Sequence, residues 1–386
     1  MAARTMNRSR HLRLPEISRK FMRVSSIRNK MIRMLLVACV VMGSGVANRV
    51  NAQRISWLAS VRAIVSNEYD IAVLRPAWCV VDWPEWRGME PSNNTYDFAA
   101  LDAMLALQRQ NGISNIILHV KSPPDDVNSA SYVTRLSRFV AHLAQHAPTA
   151  QTGLWIMPDN EPPVNQQGFT RHAAILKGCW NACHGQLKII GCALQAGYPS
   201  WFSGLAKLGC GQWCDAISFH YYNNWVASPD VRYVGPATLP SGPLYEDILA
   251  IAKLFPGKPI FCDEFGLVPD SERNRIAVLS MLAAGVQFIQ PFQWGADMNV
   301  HNPEDNVSRF HGDYPWALYR GWDPANNRPA PYAQCLVDLG TQIGSNPKAT
   351  LLRTPSGLHV IKFSNGAAYS WNTNRLGLVQ YGVTGQ

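Results

Sequence analysis

Gly153-Leu154-Trp155-Ile156-Met157-Pro158-Asp159-Asn160-Glu161-Pro162-Pro163 and Lys258-Pro259-Ile260-Phe261-Cys262-Asp263-Glu264-Phe265-Gly266 share one pattern. Apolar residues occupy consecutive positions, acidic residues follow, and a Pro or Gly ends the run. A strand with one wet face alternates apolar and polar side chains; one that is apolar throughout is buried on both faces, as in a parallel sheet covered by helices. Runs of the same kind occur at 72–78, 115–120, 187–194, 216–222 and 287–294. Between them lie stretches with helical apolar spacing, at 101–110, 133–145, 169–177 and 271–284. Strand–helix alternation of this length implies a parallel α/β fold, either doubly wound or closed into a barrel. No glycine-rich phosphate loop follows the first visible strand, which counts against a dinucleotide-binding sheet.

A closed (β/α)8 TIM barrel needs eight strands, and seven are visible. The missing one is expected first in the chain, at 47–54, ahead of a helical stretch at 55–65. After residue 340 the pattern changes. Strand-like runs at 349–353, 358–363, 367–371 and 376–381 are separated by Pro355-Ser356-Gly357, Ser364-Asn365-Gly366 and Asn372-Thr373-Asn374 turns. They predict a small antiparallel β-segment, too short to be stable alone and therefore packed on the barrel. The expected organisation is a leader at 1–52, a catalytic barrel at 53–340 and a β-segment at 341–386.

The chain has 386 residues, 47% hydrophobic and 16% charged, enough for one large core and a small appendage. Its net charge of +9 is confined to residues 1–33, where ten basic side chains face Glu16 alone. The remainder is charge-balanced and offers no basic face to nucleic acid. An apolar run at 34–42 and small residues up to Ala47 and Ala52 complete the pattern of a secretory signal peptide. A start at Met31 gives a signal of ordinary proportions. The apolar run is too short to span a bilayer, so export to a secreted or periplasmic location without membrane insertion is expected. The rival reading of the leader is an Arg-rich organelle transit peptide. Of nine cysteines, Cys39 would leave with the leader. Cys179-x-x-x-Cys183 and Cys210-x-x-x-Cys214 are expected to be disulfides or plain buried thiols rather than zinc ligands, with unreadable connectivity.

Catalytic groups of a (β/α)8 barrel sit at the C-terminal ends of its strands, where Glu161 and Glu264 both fall. Three strand–helix units separate them, which assigns them to the fourth and seventh strands. With these residues the chain resembles the clan A superfamily of retaining glycoside hydrolases, whose members carry Asn-Glu-Pro ending the fourth strand and a second Glu ending the seventh. Further matches are Leu74-Arg75-Pro76 with Trp78, Met89-Glu90-Pro91, Tyr96-Asp97-Phe98, Leu101-Asp102, Phe219-His220-Tyr221-Tyr222 and Gln293-Trp294. The resemblance covers roughly 70–300 and names no family within the clan.

The resemblance implies hydrolysis of β-linked oligo- or polysaccharides, with Glu161 as acid/base and Glu264 as nucleophile. It gives Asn160 a hydrogen bond to the sugar 2-hydroxyl. Arg75 and Tyr222 would keep Glu264 ionised and oriented, His220 would sit in the same polar shell, and Trp294 would floor the sugar subsite. Retention needs two carboxyls roughly 5–5.5 Å apart, one ionised to attack and one protonated to assist departure. Asp159 and Asp263 neighbour the two glutamates. Because successive strand side chains point to opposite faces, only one of each pair is expected at the barrel mouth.

Alternatives from other classes are a catalytically inactive carbohydrate-binding barrel, a transglycosylase and a metal-dependent barrel hydrolase. The last would need several strand-end His and Asp ligands, and only His119 and His220 offer imidazole, so neither metal nor cofactor is expected. His142-x-x-x-His146 lacks the Glu of a zinc-protease motif and reads as a solvated helix face. The expected partner is a carbohydrate substrate. Specificity would rest on loops at 223–243 and 296–328, which carry no readable code. Oligomeric state is not legible.

Overall fold

The computed structural model describes residues 55–60, 76–163, 165–194, 199–222, 243–266, 271–292, 322–323, 328–329, 331–344, 347–353, 358–372 and 375–381. All belong to one compact unit, Gln53–Gln386. The expected leader, Arg75, Trp294 and nearly all of the two long loops, 223–242, 296–321 and 324–327, lie outside the described residues.

In chain order the elements are β1 (Ile55–Ser60), β2 (Pro76–Val81), α1 (Trp86–Met89), α2 (Ala99–Gln110), β3 (Asn115–His119), α3 (Tyr132–His146), α4 (Thr149–Thr152) and β4 (Leu154–Met157). There follow α5 (Gln166–Cys183), β5 (Lys188–Gly191), α6 (Pro199–Lys207), β6 (Ala216–Tyr222), α7 (Pro243–Leu254), β7 (Ile260–Gly266), α8 (Ser271–Ala283) and β8 (Val286–Phe292). The eight strands are parallel and close in sequence order, β1 meeting β8 through Leu58 and Ile289. The fold is a (β/α)8 TIM barrel with a small C-terminal antiparallel sheet.

The expected strand at 47–54 and helix at 55–65 are corrected: β1 is Ile55–Ser60, the start of the stretch taken as helical. Ile55, Trp57, Leu58 and Ala59 fit a helical spacing as well as a short strand, and barrel closure decides between them. Ser60 pairs with Cys79 on β2 while Leu58 pairs with β8.

Helix α3 shows how the outer layer is held. Arg135, Leu136, Phe139, Val140, Leu143 and Ala144 form its buried stripe, three and four residues apart, while the opposite face is wet. Inside the barrel, Val80, Ile117, Met157, Ile190, Ala216, Phe261 and Phe288 make a separate apolar plug with Trp78 and Trp155. Trp78 stacks on Phe288 at 4.8 Å between centroids, and Phe288 lies 4.5 Å from Phe261. Two residues further along their strands, on the same inward face, come His119, Ser218, Asp263 and Gln290, with His220 two beyond Ser218, all buried. The plug is therefore roofed by polar groups at the C-terminal end.

After β8 come β9 (Trp322–Asp323), β10 (Arg328–Pro329), α9 (Pro331–Ile343) and strands β11 (Ala349–Arg353), β12 (Leu358–Phe363), β13 (Ala368–Asn372) and β14 (Arg375–Tyr381). β11 to β14 form an antiparallel sheet in sequence order. Ile361, Phe363, Ala367, Tyr369 and Trp371 belong to the same hydrophobic core as the barrel helices. Tyr369 Oη donates to Gln342 Oε1 at 2.7 Å, and Asn365 Nδ2 donates to the Gln342 carbonyl at 2.8 Å, tying the sheet to α9. All eight cysteines beyond the leader are buried thiols, with no disulfide among the described residues.

Candidate active site

Glu161 follows β4 in a left-handed backbone conformation, φ 47°. Its N–H donates to the Ala193 carbonyl at 3.1 Å, beyond the end of β5. Its carboxylate is 52% exposed and turns toward His220, whose Nδ1 lies 2.8 Å from Glu161 Oε1. The same nitrogen lies 3.5 Å from Glu264 Oε2, on a side chain only 5% exposed. An oxygen of each glutamate and a nitrogen of His220 all lie within 4.8 Å of one another. The two carboxyls thus converge, one wet and one buried, with an imidazole against both.

The expectation that Asp263 would turn away from the mouth is corrected. Phe219 pairs with Cys262 but His220 pairs with Glu264, and on the other side Cys262 pairs with Ile289 but Phe265 with Pro291. Strand β7 therefore bulges at Asp263–Glu264, and the extra residue breaks the alternation that would hide one of the two acids. Asp263 is fully buried, accepts a hydrogen bond from Ser218 Oγ, and lies 3.5 Å from His220 Nε2 and 3.4 Å from His119 Nε2. His119 Nδ1 reaches Asp82 Oδ1 at 3.0 Å, and Asp82 reaches Lys121 Nζ at 3.1 Å. A line of alternating acids and bases runs from the barrel rim to the glutamates. Asp159, two residues from both Met157 and Glu161, would share their face by simple alternation, but β4 ends at Met157 and the chain turns, so Asp159 faces α5, where its Oδ2 lies 2.9 Å from His172 Nδ1.

Burial alone would strip the proton from His220, but the negative charges of Glu264 and Asp263 outweigh it and push its pKa up to about 10. Asp263, which burial would make a weaker acid, is instead held far below the usual carboxylate range by His220 and His119. The two form a buried charged couple under the glutamates. Glu161, His220 and Glu264 could offer three ligand atoms to a metal ion. His142 stacks on Tyr96 and His146 on Phe98, with His146 Nε2 2.8 Å from Asp102 Oδ1, so aromatic and hydrogen-bonding contacts account for that motif.

Asn160 sits beside Glu161 with its Oδ1 buried and without a hydrogen-bond partner among the described residues. The backbone of Tyr222 ends β6 opposite Gly266. The sequence reading missed Asp82 and Asp263. It weighed His119 only as a metal ligand, although a histidine at the end of an apolar strand was a signal of a buried polar partner.

These features define a TIM barrel with paired glutamates at the C-terminal end of its strands. No family model matches the sequence, and no curated protein is detectably similar to it in sequence. Among solved structures, an exo-β-1,4-mannosidase from Opitutaceae bacterium strain TAV5 matches with TM-score 0.55 and 14% identity, over 75% of this chain and 60% of that one. A GH39 β-xylosidase from Caulobacter crescentus matches at TM-score 0.52 and 13% identity, over 84% and 79%. An endo-1,4-β-D-mannanase from Thermotoga petrophila RKU-1 matches at 0.50 and 14%, over 75% and 99%. The chain has the fold of these glycoside hydrolases, and it spans 60% of the length of the mannosidase.

Proposed function

We propose that this protein is a retaining glycoside hydrolase that cleaves β-linked oligo- or polysaccharides by double displacement. The observation that carries the reading is the approach of the Glu161 and Glu264 carboxyls to within 4.8 Å at the catalytic end of the barrel. That spacing suits direct attack on the sugar and leaves no room for the intervening water of an inverting enzyme. Glu264 attacks the anomeric carbon as the glycosidic C–O bond breaks, and the Glu161 proton passes to the leaving oxygen. Water, giving a proton back to Glu161, then attacks the same carbon and releases Glu264. Protonated His220 donates toward both carboxylates and stabilises charge on whichever is ionised at each step. The unpartnered Asn160 oxygen accepts from a substrate hydroxyl. Export through the basic leader belongs to the same proposal.

The test is a panel of chromogenic β-glycosides and polysaccharides, followed by Glu161→Gln and Glu264→Gln on the best substrate. Both should reduce turnover to background. With azide and an activated substrate, Glu264→Ala should give the α-glycosyl azide and Glu161→Ala the β-glycosyl azide, which assigns nucleophile and acid/base separately. Wild-type activity in Glu264→Ala would overturn the mechanism. Binding of glycans without release of reducing ends would make the protein a carbohydrate-binding barrel, and sugar transfer at high acceptor concentration a transglycosylase.

A further inference from the structure

Behind the acid/base glutamate, on the helix side of the barrel wall, His172 of α5 is wholly buried and uses both ring nitrogens. The Cys192 N–H donates to His172 Nε2 at 3.1 Å, so that nitrogen carries no proton. Nδ1, 2.9 Å from Asp159 Oδ2, must then be the donor to the carboxylate. The partners thus select one neutral tautomer. His172 joins the end of β4, two residues before Glu161, to the end of β5.

What it joins is more than a strand end. Cys192 is a non-glycine residue at φ 71°, and Trp201 Nε1 donates to its carbonyl at 3.4 Å, so its peptide units are held on both sides. The next carbonyl, Ala193, accepts the N–H of Glu161 at 3.1 Å, and the one after it, Leu194, accepts the N–H of His220 at 2.9 Å. Glu161 is itself left-handed. Residues in this sparsely populated region are strained and persist only where the surroundings over-determine them. At Cys192 the imidazole is one such contact, on the amide side, and Trp201 is the other, on the carbonyl side.

The geometry points to His172 as a positioning residue for the proton donor: by clamping Asp159 and the Cys192 amide it sets the Ala193 and Leu194 carbonyls that place Glu161 and His220. It touches no reacting atom and acts through the backbone of residues 192–194. The assignment rests on Glu161 being the acid/base, and displacing that group by even about 1 Å costs on the order of 10²-fold.

Leaving-group dependence separates this role from a merely structural one. A dinitrophenyl aglycone departs without protonation and a phenyl aglycone needs it, so loss of a well-placed acid discriminates between them whereas general loss of folded enzyme does not. The 2,4-dinitrophenyl and phenyl β-glycosides of a sugar that the wild type hydrolyses are compared by kcat/KM. Glu161→Gln should lose roughly 10²–10⁴-fold on the phenyl glycoside and far less on the dinitrophenyl one. His172→Phe, which fills the ring volume but bonds neither partner, should lose about 10–100-fold on the phenyl substrate and less than about threefold on the other. His172→Gln, which can still accept from the Cys192 amide, should fall between it and the wild type, and serves if the Phe variant does not fold. Equal losses on both substrates for the His172 variants, with selectivity intact in Glu161→Gln, would overturn the positioning role. No selectivity in Glu161→Gln would instead overturn the acid/base assignment beneath it.

Discussion

His220 stands among Glu161, Glu264 and Asp263, and its proton is the hinge of the site's charge balance. Its pKa is raised from an ordinary 6.5 to about 10, so the stability it contributes is full below about pH 6.5 and is lost as the pH rises through about 10. Urea midpoints measured across that window should fall with rising pH in the wild type and fall less in His220→Gln. Asp263→Asn removes one of the charges that hold the proton, so the alkaline limb of its activity profile should move to lower pH; an unmoved limb would refute the coupling. Asp263 has the opposite sign, a lowered pKa, and contributes stability above about pH 3.8 that is lost on further acidification. Glu161 and Glu264 stood out in the sequence because each ends an apolar run, whereas Asn160 and His220 were named only through the resemblance. The joint presence of Asp263 and Glu264 was not legible, because strand alternation admits only one of two successive acids and the bulge that overrides it depends on pairing with both neighbouring strands.

At the scale of elements, seven strands could be read because a strand buried on both faces announces itself by continuous apolarity, and Val286–Phe292 or Ile260–Gly266 differ from expectation only at their ends. Strand β1 could not, since six residues carry too little periodicity to separate strand from helix and only closure against β8 settles it. Gly153 shows a local demand of the same framework. It ends α4 at φ 71° and starts β4, and a Cβ there would meet the Ser114 carbonyl oxygen at 1.7 Å. Gly153→Ala should cost more than the roughly 1–2 kcal/mol of a left-handed non-glycine residue, because backbone must also move. A thermal midpoint within a degree of wild type would refute this. Cys179 and Cys183 lie one turn apart on the buried face of α5, and burial drives the Cys210 and Cys214 thiols up to about 12. The native protein should therefore react slowly with a thiol reagent at pH 8, and the eight cysteines should all react after denaturation.

For the molecule as a whole, the C-terminal sheet is the part whose existence was legible and whose importance was not. Turn residues marked its four strands, but nothing local says that Tyr369 and Trp371 complete a core begun by barrel helices. In the structure both are buried, Tyr369 bonds to Gln342 on α9, and Ile361 and Phe363 pack with them. Large-to-small changes at such positions cost about 3–5 kcal/mol, a large share of the 5–15 kcal/mol by which a domain is stable. Sheet and barrel should accordingly unfold as one cooperative unit. Trp371→Ala is expected to lower the single unfolding midpoint without creating a second transition, and a chain ending at residue 344 should be insoluble or lack a cooperative transition. A truncated chain that unfolds cooperatively at the wild-type midpoint would show that the barrel core closes without the sheet.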